Sequence, residues 1–325
     1  MKDKIHFFGR HINKNNKHYF SYSGSGFEFL VKPNNIDFSI TLSLISELNE
    51  HETQYVSIFI NDEFYSKEKL INGQNDIEIK PHTLSKTKIR LIKVNEVYLS
   101  SIYLNYIELN CAELINYETE PKKRIGFFGD SLTCGYGLLD YHGKDFSMES
   151  EDFTYSYAYL TAKALDLDYV VIARSGISIA LPIYCNALFN EIYDTVDMFD
   201  KCEVKDNLDY AVINLGTNDS AAFNESQNKT SSLKIFKEKY IELIERIIKD
   251  NPDVKLVLCY QMVEINEEII KAIKEVYLSI KEKFSNKFEL VEFAPDQNGA
   301  NNHPYKTAHE QFALKLSKII TNFIN

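Results

Sequence analysis

Apolar and polar residues alternate over short runs in the first third of the chain. In IDFSITLSL, the apolar side chains occupy every second position from Ile36 to Leu44. A period of two places them on one face of a β-strand, with polar residues on the other. Turn-forming residues such as Lys32-Pro33-Asn34-Asn35 separate the runs. The pattern predicts an antiparallel, jelly-roll-like β-sandwich, with strands at residues 19–32, 36–44, 55–60, 76–80, 88–94 and 103–109.

The pattern changes after a polar segment at residues 111–123. Continuous apolar strands now alternate with helices whose apolar residues recur at 3.6-residue spacing, one of them ending at Asn251-Pro252. This alternation predicts a parallel sheet with crossover helices. We therefore expect a β-sandwich domain at residues 1–112 and an α/β domain at residues 120–325. The strands of the second domain are predicted at residues 124–128, 169–173, 210–214, 254–260 and 288–293.

Composition narrows the function classes. A chain of 325 residues, 44% of them hydrophobic, can bury the cores of two globular domains. The formal net charge of -11 argues against nucleic acid or an anionic membrane as a partner, because both repel an acidic surface. The five cysteines include no CxxC pair and their number is odd, so neither a disulfide framework nor a zinc site is indicated.

The sequence contains neither a signal peptide nor a membrane-spanning stretch, which bears on the expected localisation. The N-terminal residues lack the apolar stretch of a signal peptide, and no later stretch is long and apolar enough to span a membrane. The sequence as written is expected to be cytoplasmic, and secreted if a signal peptide has been removed.

The segment RIGFFGDSLTCGYG, Arg124 to Gly137, indicates a presented nucleophile. An apolar strand runs into Gly129-Asp130-Ser131-Leu132 and then into a predicted helix. A tight turn at this point raises the Ser131 hydroxyl above the carboxyl edge of the sheet, where open α/β folds bind ligands. The turn also leaves backbone N–H groups that can stabilise an oxyanion. The alternative is that Ser131 only caps a helix.

Four ordered motifs favour the catalytic interpretation, namely FFGDSLTCGYG, ARSGISI, NLGTND and a late His-Pro. Together they resemble the SGNH, or GDSL-type, hydrolase superfamily. A narrower resemblance is to carbohydrate esterase family 2, which joins such a domain to an N-terminal β-sandwich. It includes the SGI motif followed by Pro182 and Tyr184, and the sandwich segment KTKIRLIKVNE. The resemblance implies a three-layer, flavodoxin-like α/β/α hydrolase domain.

The resemblance also implies catalytic roles. Ser131 would attack an ester carbonyl, and His303 would accept its proton and later return it to the leaving alcohol. His309 is the competing histidine and is expected to lie on the last helix. The oxyanion would be bound by the N–H groups of Ser131 and Gly176 and by the side-chain amide of Asn218.

Two departures from the family pattern stand out. The superfamily usually places an aspartate three residues before the histidine, but position 300 is Ala, and Asn301 stands where the carbohydrate branch often has an acid. We therefore predict a Ser-His dyad oriented by a backbone carbonyl, with Asp296 as the alternative third member. The chain also has no Trp, so a sugar-stacking platform must be Tyr or Phe, and Tyr184 is the first candidate.

The expected function is removal of acetyl groups from carbohydrate hydroxyls through an acyl-enzyme, with no cofactor and no metal. Xylan- or mannan-type oligomers and polysaccharides are the expected substrates. Two alternatives stay open at this point. One is an esterase or lipase for non-sugar acyl esters, and the other is a carbohydrate-binding protein with weak catalysis. The sequence does not indicate an oligomeric state.

Overall fold

The computed structural model describes residues 4–14, 17–48, 53–118, 120–197, 200–202 and 205–324. They divide into two compact units. The first comprises Met1–Pro121 with Val196–Cys202, and the second comprises Lys122–Thr195 with Glu203–Asn325. Among the described residues, no helix combines the length and the apolar character needed to cross a bilayer.

The first unit is built from antiparallel strands. Their bounds are β1 (Ile5–Phe8), β2 (His11–Lys14), β3 (Lys17–Phe20), β4 (Gly26–Pro33), β5 (Ser39–Leu48), β6 (Gln54–Ile60), β7 (Glu63–Leu70), β8 (Gly73–Ile79), β9 (Thr87–Lys93), β10 (Ser100–Asn110) and β11 (Ala112–Ile115). Within the described residues, one sheet has the order β1-β4-β9-β6-β7 with β11 also on β4, and the other has the order β2-β3-β10-β5-β8. Their inward-facing side chains form one hydrophobic core, including Phe27, Phe29, Ile40, Leu42, Leu44, Ile58, Leu91 and Ile102.

The sandwich differs in detail from the sequence expectation. The run predicted as one strand at 19–32 is two strands, β3 and β4, separated by a buried turn, and Ile36 precedes β5 and is 40% exposed. β11 lies beyond the predicted boundary at residue 112, and residues 196–202 also group with this unit. The periodic signal is weakest where strands are short or polar.

The second unit is a parallel sheet with crossover helices. Its strands are β12 (Arg124–Gly129), β13 (Asp168–Ala173), β14 (Tyr210–Asn214), β15 (Lys255–Tyr260) and β16 (Phe288–Glu292). The order β13-β12-β14-β15-β16, with every neighbouring pair parallel, is the flavodoxin-like order. The expected fold class, an antiparallel sandwich followed by an α/β/α domain, is confirmed, and each of these strands matches its predicted bounds within one residue.

The helices bury the apolar stripes seen in the sequence. Their bounds are α1 (Ser131–Cys134), α2 (Tyr157–Ala164), α3 (Phe189–Ile192), α4 (Thr217–Glu225), α5 (Lys229–Asp250), α6 (Glu267–Lys283) and α7 (Lys306–Ile324). The stripe from Phe236 to Ile247 on α5 is fully buried, and that helix ends at Asp250, with Asn251 as its C-cap before Pro252. Short 3-10 turns lie at Val97–Leu99, Phe153–Tyr155 and Ala300–Asn302.

Candidate active site

Three of the predicted site residues follow neighbouring strands at one edge of the parallel sheet. Ser131 follows β12, Gly176 follows β13 and Asn218 follows β14. The last residue of β12, Gly129, is in register with the last residues of the two flanking strands. The topology therefore brings the three segments together at the carboxyl edge.

The turn that carries Ser131 is tightly packed. Ser131 is the first residue of α1, and the Asp130 carboxylate caps this helix by accepting the Leu132 N–H at 3.0 Å. A Cβ added to Gly129 would lie 1.9 Å from the Thr133 hydroxyl oxygen, so only glycine fits at that position. Local sequence thus explains why the hydroxyl is presented at this point.

Ser131 and His303 meet despite the length of chain between them. The Ser131 Oγ lies 3.0 Å from His303 Nε2, and His303 Nδ1 lies 3.0 Å from the backbone carbonyl oxygen of Asn301. Because a carbonyl oxygen can only accept, this second bond places the imidazole proton on Nδ1. Nε2 is then left with a lone pair that faces the serine hydroxyl.

The loop that carries His303 is held by backbone pairing with the segment after the serine. The Ala300 N–H donates to the Gly137 carbonyl (3.0 Å), and the Asn301 N–H donates to the Lys144 carbonyl (2.9 Å). Further bonds extend the pairing on both sides, from His142 N–H to Asn298 O (2.7 Å) and from Lys306 N–H to Leu138 O (3.1 Å). The hydrogen bonds that pair the His303 loop with the segment after Ser131 thus belong to the backbone.

The candidate third members lie away from the imidazole nitrogens. Ala300 is fully buried. The Asp296 carboxylate accepts the N–H groups of Asn298 and Tyr305 and the Asn298 side-chain amide. The Asn301 side chain donates to the Tyr136 hydroxyl at 3.4 Å. Asn301 therefore faces His303 Nδ1 through its carbonyl, which points inward because Asn301 and Asn302 both adopt left-handed backbone angles, with φ of 49° and 58°.

The candidate oxyanion donors are linked by hydrogen bonds. The Asn218 amide donates to the Ile177 carbonyl at 2.8 Å and lies 3.4 Å from the Asp130 carboxylate. These contacts join the residue next to Gly176 to the residue next to Ser131. Gly176 has a φ of +75°, which glycine adopts without strain. Among the described residues, no protein acceptor pairs with the backbone N–H of Ser131 or Gly176, so both are available to a ligand.

Comparison with known proteins identifies the family. Residues 127–314 match the GDSL-like lipase/acylhydrolase family. The chain belongs to this family. The cellulase/esterase CelE of Acetivibrio thermocellus is 26% identical over 217 residues, which are 62% of this chain and 26% of CelE, so the match spans a minor part of that relative.

Solved structures share the fold over nearly the whole chain. A family two carbohydrate esterase from Clostridium thermocellum, in complex with cellohexaose, superposes with a TM-score of 0.88 at 20% identity and covers 98% of this chain and 99% of its own. The acetyl xylan esterase Est2A from the rumen bacterium Butyrivibrio proteoclasticus gives a TM-score of 0.87 at 18% identity, with 100% and 97% covered. The predicted resemblance to SGNH hydrolases, and in fold to carbohydrate esterase family 2, is confirmed.

Two buried carboxylates brace the segments that carry the candidate oxyanion donors. The Asp219 oxygens accept the backbone N–H groups of Ile179, Ala180 and Leu181 at 2.8–2.9 Å, which fixes the loop after Gly176. Burial raises the pKa of Asp219 to about 6 and that of Asp130 to about 7, because desolvation disfavours the charged form. Near neutral pH the two carboxyls therefore hold less negative charge than exposed acids would.

The two histidines of the last segment have different environments. Loss of hydration lowers the pKa of His303, although its bond to the Asn301 carbonyl opposes the shift. His303 is therefore neutral near pH 7, as a general base must be. His309 lies on α7, as expected, and its buried Nδ1 accepts the Tyr157 N–H at 3.1 Å. Burial lowers the pKa of His309 to about 3, so it is a neutral structural group.

Two further tyrosines lie close to the site residues. The Tyr184 Cβ is 2.9 Å from the position that a Cβ on Gly176 would occupy, and the Tyr184 side chain is 67% exposed. The Tyr136 ring packs against the His303 imidazole, with the ring centroids 4.3 Å apart. The sequence motifs predict a role for Tyr184 but none for Tyr136, although Tyr136 lies within FFGDSLTCGYG.

Proposed function

We propose that this protein is a serine esterase that uses Ser131 and His303 as a catalytic dyad. The observation that carries the proposal is the geometry of one imidazole, with Nε2 3.0 Å from Ser131 Oγ and Nδ1 3.0 Å from the Asn301 carbonyl. A hydroxyl is too weak a nucleophile without a base, and the lone pair on Nε2 is within reach to act as that base. The family membership supports the same chemistry.

The reaction follows from this arrangement. Ser131 Oγ attacks the ester carbonyl carbon as its proton passes to His303 Nε2, and the carbonyl oxygen becomes an oxyanion. The N–H groups of Ser131 and Gly176 donate to that oxygen, and the Asn218 amide donates to it in place of its long contact to Asp130; each donor is worth about 3 kcal/mol. Collapse breaks the bond to the alcohol, which leaves with the proton from Nε2. Water then repeats the sequence on the acyl-enzyme and releases the acid.

We further propose O-acetyl groups on xylan- or mannan-type carbohydrates as the substrate. The fold is similar to that of a family two carbohydrate esterase with bound cellohexaose and to that of an acetyl xylan esterase. Tyr184 supports the proposal because an exposed ring next to an oxyanion donor can stack on a sugar face.

The Tyr184→Ala variant is expected to raise KM for acetylated oligosaccharides and to leave KM for an aryl acetate unchanged. The Tyr155→Ala variant is the control for loss of a surface tyrosine.

Hydrolysis of an aryl acetate tests the catalytic assignment. The Ser131→Ala variant is expected to lose at least about 10³-fold in kcat. The matched control is Ser285→Ala, which removes an exposed hydroxyl just before β16, at the opposite edge of the sheet. Equal activity of wild type and Ser131→Ala would refute the dyad. Faster turnover of long-chain acyl esters than of acetylated oligosaccharides would retain the esterase and refute the sugar substrate.

A further inference from the structure

Three aromatic rings form a stack beside the candidate dyad. The Tyr136 and Phe146 rings are nearly parallel, with centroids 3.7 Å apart and an interplanar angle of 11°. The imidazole of His303 lies 4.3 Å from the Tyr136 centroid at an angle of 36°. Two rings this close to one centroid cannot share a face, so Tyr136 is sandwiched between Phe146 and His303.

This stack supplies a restraint that the hydrogen bonds of His303 do not. The bonds to Ser131 Oγ and to the Asn301 carbonyl are made by the two ring nitrogens, whose lone pair and N–H lie in the imidazole plane. They leave the ring able to tilt about the line that joins them. The Tyr136 ring packs against the imidazole face and opposes that tilt.

We propose that Tyr136 is a positioning residue that holds the His303 imidazole in line with Ser131, an inference that rests on the proposed dyad. Tyr136 contacts both His303 and the residue that orients it. Its ring packs on the imidazole, and its hydroxyl accepts a hydrogen bond from the side chain of Asn301. Phe146 fixes the opposite face of the tyrosine, so the ring has little freedom to move away.

The ring also favours the charged state that the reaction creates. When His303 accepts the serine proton it becomes an imidazolium, and a cation within about 6 Å of an aromatic centroid is attracted to the ring face. The aromatic ring is the group that contacts the imidazole, whereas the hydroxyl reaches the Asn301 side chain at 3.4 Å. A phenylalanine at this position therefore retains the function.

The test compares Tyr136→Phe with Tyr136→Leu. The Leu variant removes the ring and is expected to lower kcat for an aryl acetate about 30-fold with KM changed by less than about twofold, because misorientation of a reacting group acts on the chemical step. The Phe variant is expected to stay within about threefold of wild type in kcat. The matched control is Tyr277→Leu on α6. It removes a half-buried tyrosine whose hydroxyl donates to the Phe288 carbonyl, at the amino end of β16 and therefore away from the candidate site.

A second measurement reports on the imidazole without any substrate. The proton on His303 Nδ1 can be followed by NMR and identified by its absence in His303→Ala. Its exchange with solvent is expected to be at least about 10-fold faster in Tyr136→Leu than in wild type, and unchanged in Tyr136→Phe and Tyr277→Leu.

The outcomes separate this inference from the proposed function. A Leu variant with wild-type kcat, or with wild-type proton exchange, overturns the positioning role. Equal loss of kcat in Tyr136→Leu and Tyr277→Leu also overturns it, because the effect would then be one of general stability. If wild type and Ser131→Ala hydrolyse the ester equally, the esterase proposal fails, and the exchange rates alone then decide whether Tyr136 holds the imidazole.

Discussion

The serine side and the histidine side of the candidate site are held by different kinds of interaction. Around Ser131 the bracing groups are buried carboxylates, with Asp130 capping α1 and Asp219 accepting three backbone N–H groups. The His303 imidazole is held by the Asn301 carbonyl and an aromatic ring, whereas the carboxylate of Asp296 accepts the Tyr305 N–H of the same loop. Buried carboxylates thus brace the candidate oxyanion donors, whereas the candidate base itself is held by a carbonyl and a ring.

The difference has an electrostatic consequence. A charged carboxylate behind an imidazole stabilises the imidazolium, whereas a charged carboxylate beside an oxyanion site repels the developing negative charge. Asp130 lies 3.4 Å from the Asn218 amide, and burial raises its pKa to about 7. Protonation of Asp130 near neutral pH reduces that repulsion. In the proposed mechanism, acids are therefore tolerated beside the oxyanion donors, and the Asn301 carbonyl takes the place of an acid behind His303.

Substitution of His303 removes the hydrogen bond that joins the histidine side of the site to Ser131. The His303→Ala variant deletes the base and is expected to lose about 10³-fold in kcat, or about 4 kcal/mol of transition-state stabilisation. Steady-state hydrolysis of an aryl acetate measures the loss. The exposed histidine variant His82→Ala in the sandwich is the control and should match wild type. An active His303→Ala enzyme would mean that another group serves as base.

Loss of Asp219 tests the serine side. The Asp219→Ala variant leaves the N–H groups of Ile179, Ala180 and Leu181 without their acceptor in a buried loop. The free energy of unfolding is expected to fall by about 4 kcal/mol, since bonds to a charged acceptor contribute about 1.5–3 kcal/mol each and are not additive.

Chemical denaturation measures the Asp219 effect, and Asp253→Ala removes an exposed acid as the control. A variant as stable as wild type would show that the loop after β13 does not depend on the carboxylate.

Adding an acid tests the histidine side. The Ala300→Asp variant restores the residue type that the superfamily usually has at this position, but Ala300 is fully buried and lies against Gly137. We expect a loss of about 3 kcal/mol in unfolding free energy from overpacking and an unpaired buried carboxyl, and no gain in kcat. Denaturation and ester hydrolysis measured on the same sample check both parts. A stable variant with raised kcat would show that the loop can seat a third triad member.

The parts of the fold that the sequence predicts best are the parts buried on both faces. The strands β12 to β15 are largely apolar and buried, so their bounds were predictable to within one residue, whereas the edge strand β16 exposes Glu289 and Glu292. The sandwich strands have one solvent-facing side, and β7, EFYSKEKL, has no clear alternation of apolar residues. Edge strands of this kind are stabilised by backbone pairing, which leaves little trace in side-chain pattern.

The residues of the candidate site also differ in how well the sequence predicts them. Motifs place Ser131, Gly176, Asn218 and His303 because their positions follow from strand ends and helix starts. The inward carbonyl of Asn301 depends on backbone angles, although two consecutive asparagines are a sequence signal for the left-handed conformation. The contact between Tyr136 and His303 joins residues distant in the chain and had no local signal.

The pH dependence of the reaction distinguishes titration of His303 from titration of the buried carboxyl Asp130 on the serine side. A base must be neutral, and the pKa of His303 lies below its usual 6.5, so kcat/KM is expected to be constant at neutral pH and to fall only below about pH 6.5. The same shift makes the folded state bind fewer protons than the unfolded state in that range, so stability also declines as the pH falls below about 6.5.

A pH–rate profile with an aryl acetate measures the decline. A midpoint near 7 that disappears in Asp130→Asn would assign it to the carboxyl on the serine side, and would contradict the expected role of His303 in this limb.

The smallest change in kcat is expected for variants of Asn301, because its backbone carbonyl and not its side chain contacts His303 Nδ1. The Asn301→Asp variant adds a charge two residues from His303 and retains a side chain that accepts left-handed angles. Because the side chain of Asn301 points to the Tyr136 hydroxyl and its carbonyl faces Nδ1, kcat should change by less than about threefold. Asn301→Ala is the companion variant, and it should cost about 1 kcal/mol in stability through its left-handed angles alone. An increase of an order of magnitude in kcat for Asn301→Asp would show that the side chain can reach the imidazole, and the histidine side would then resemble the serine side in using a carboxylate.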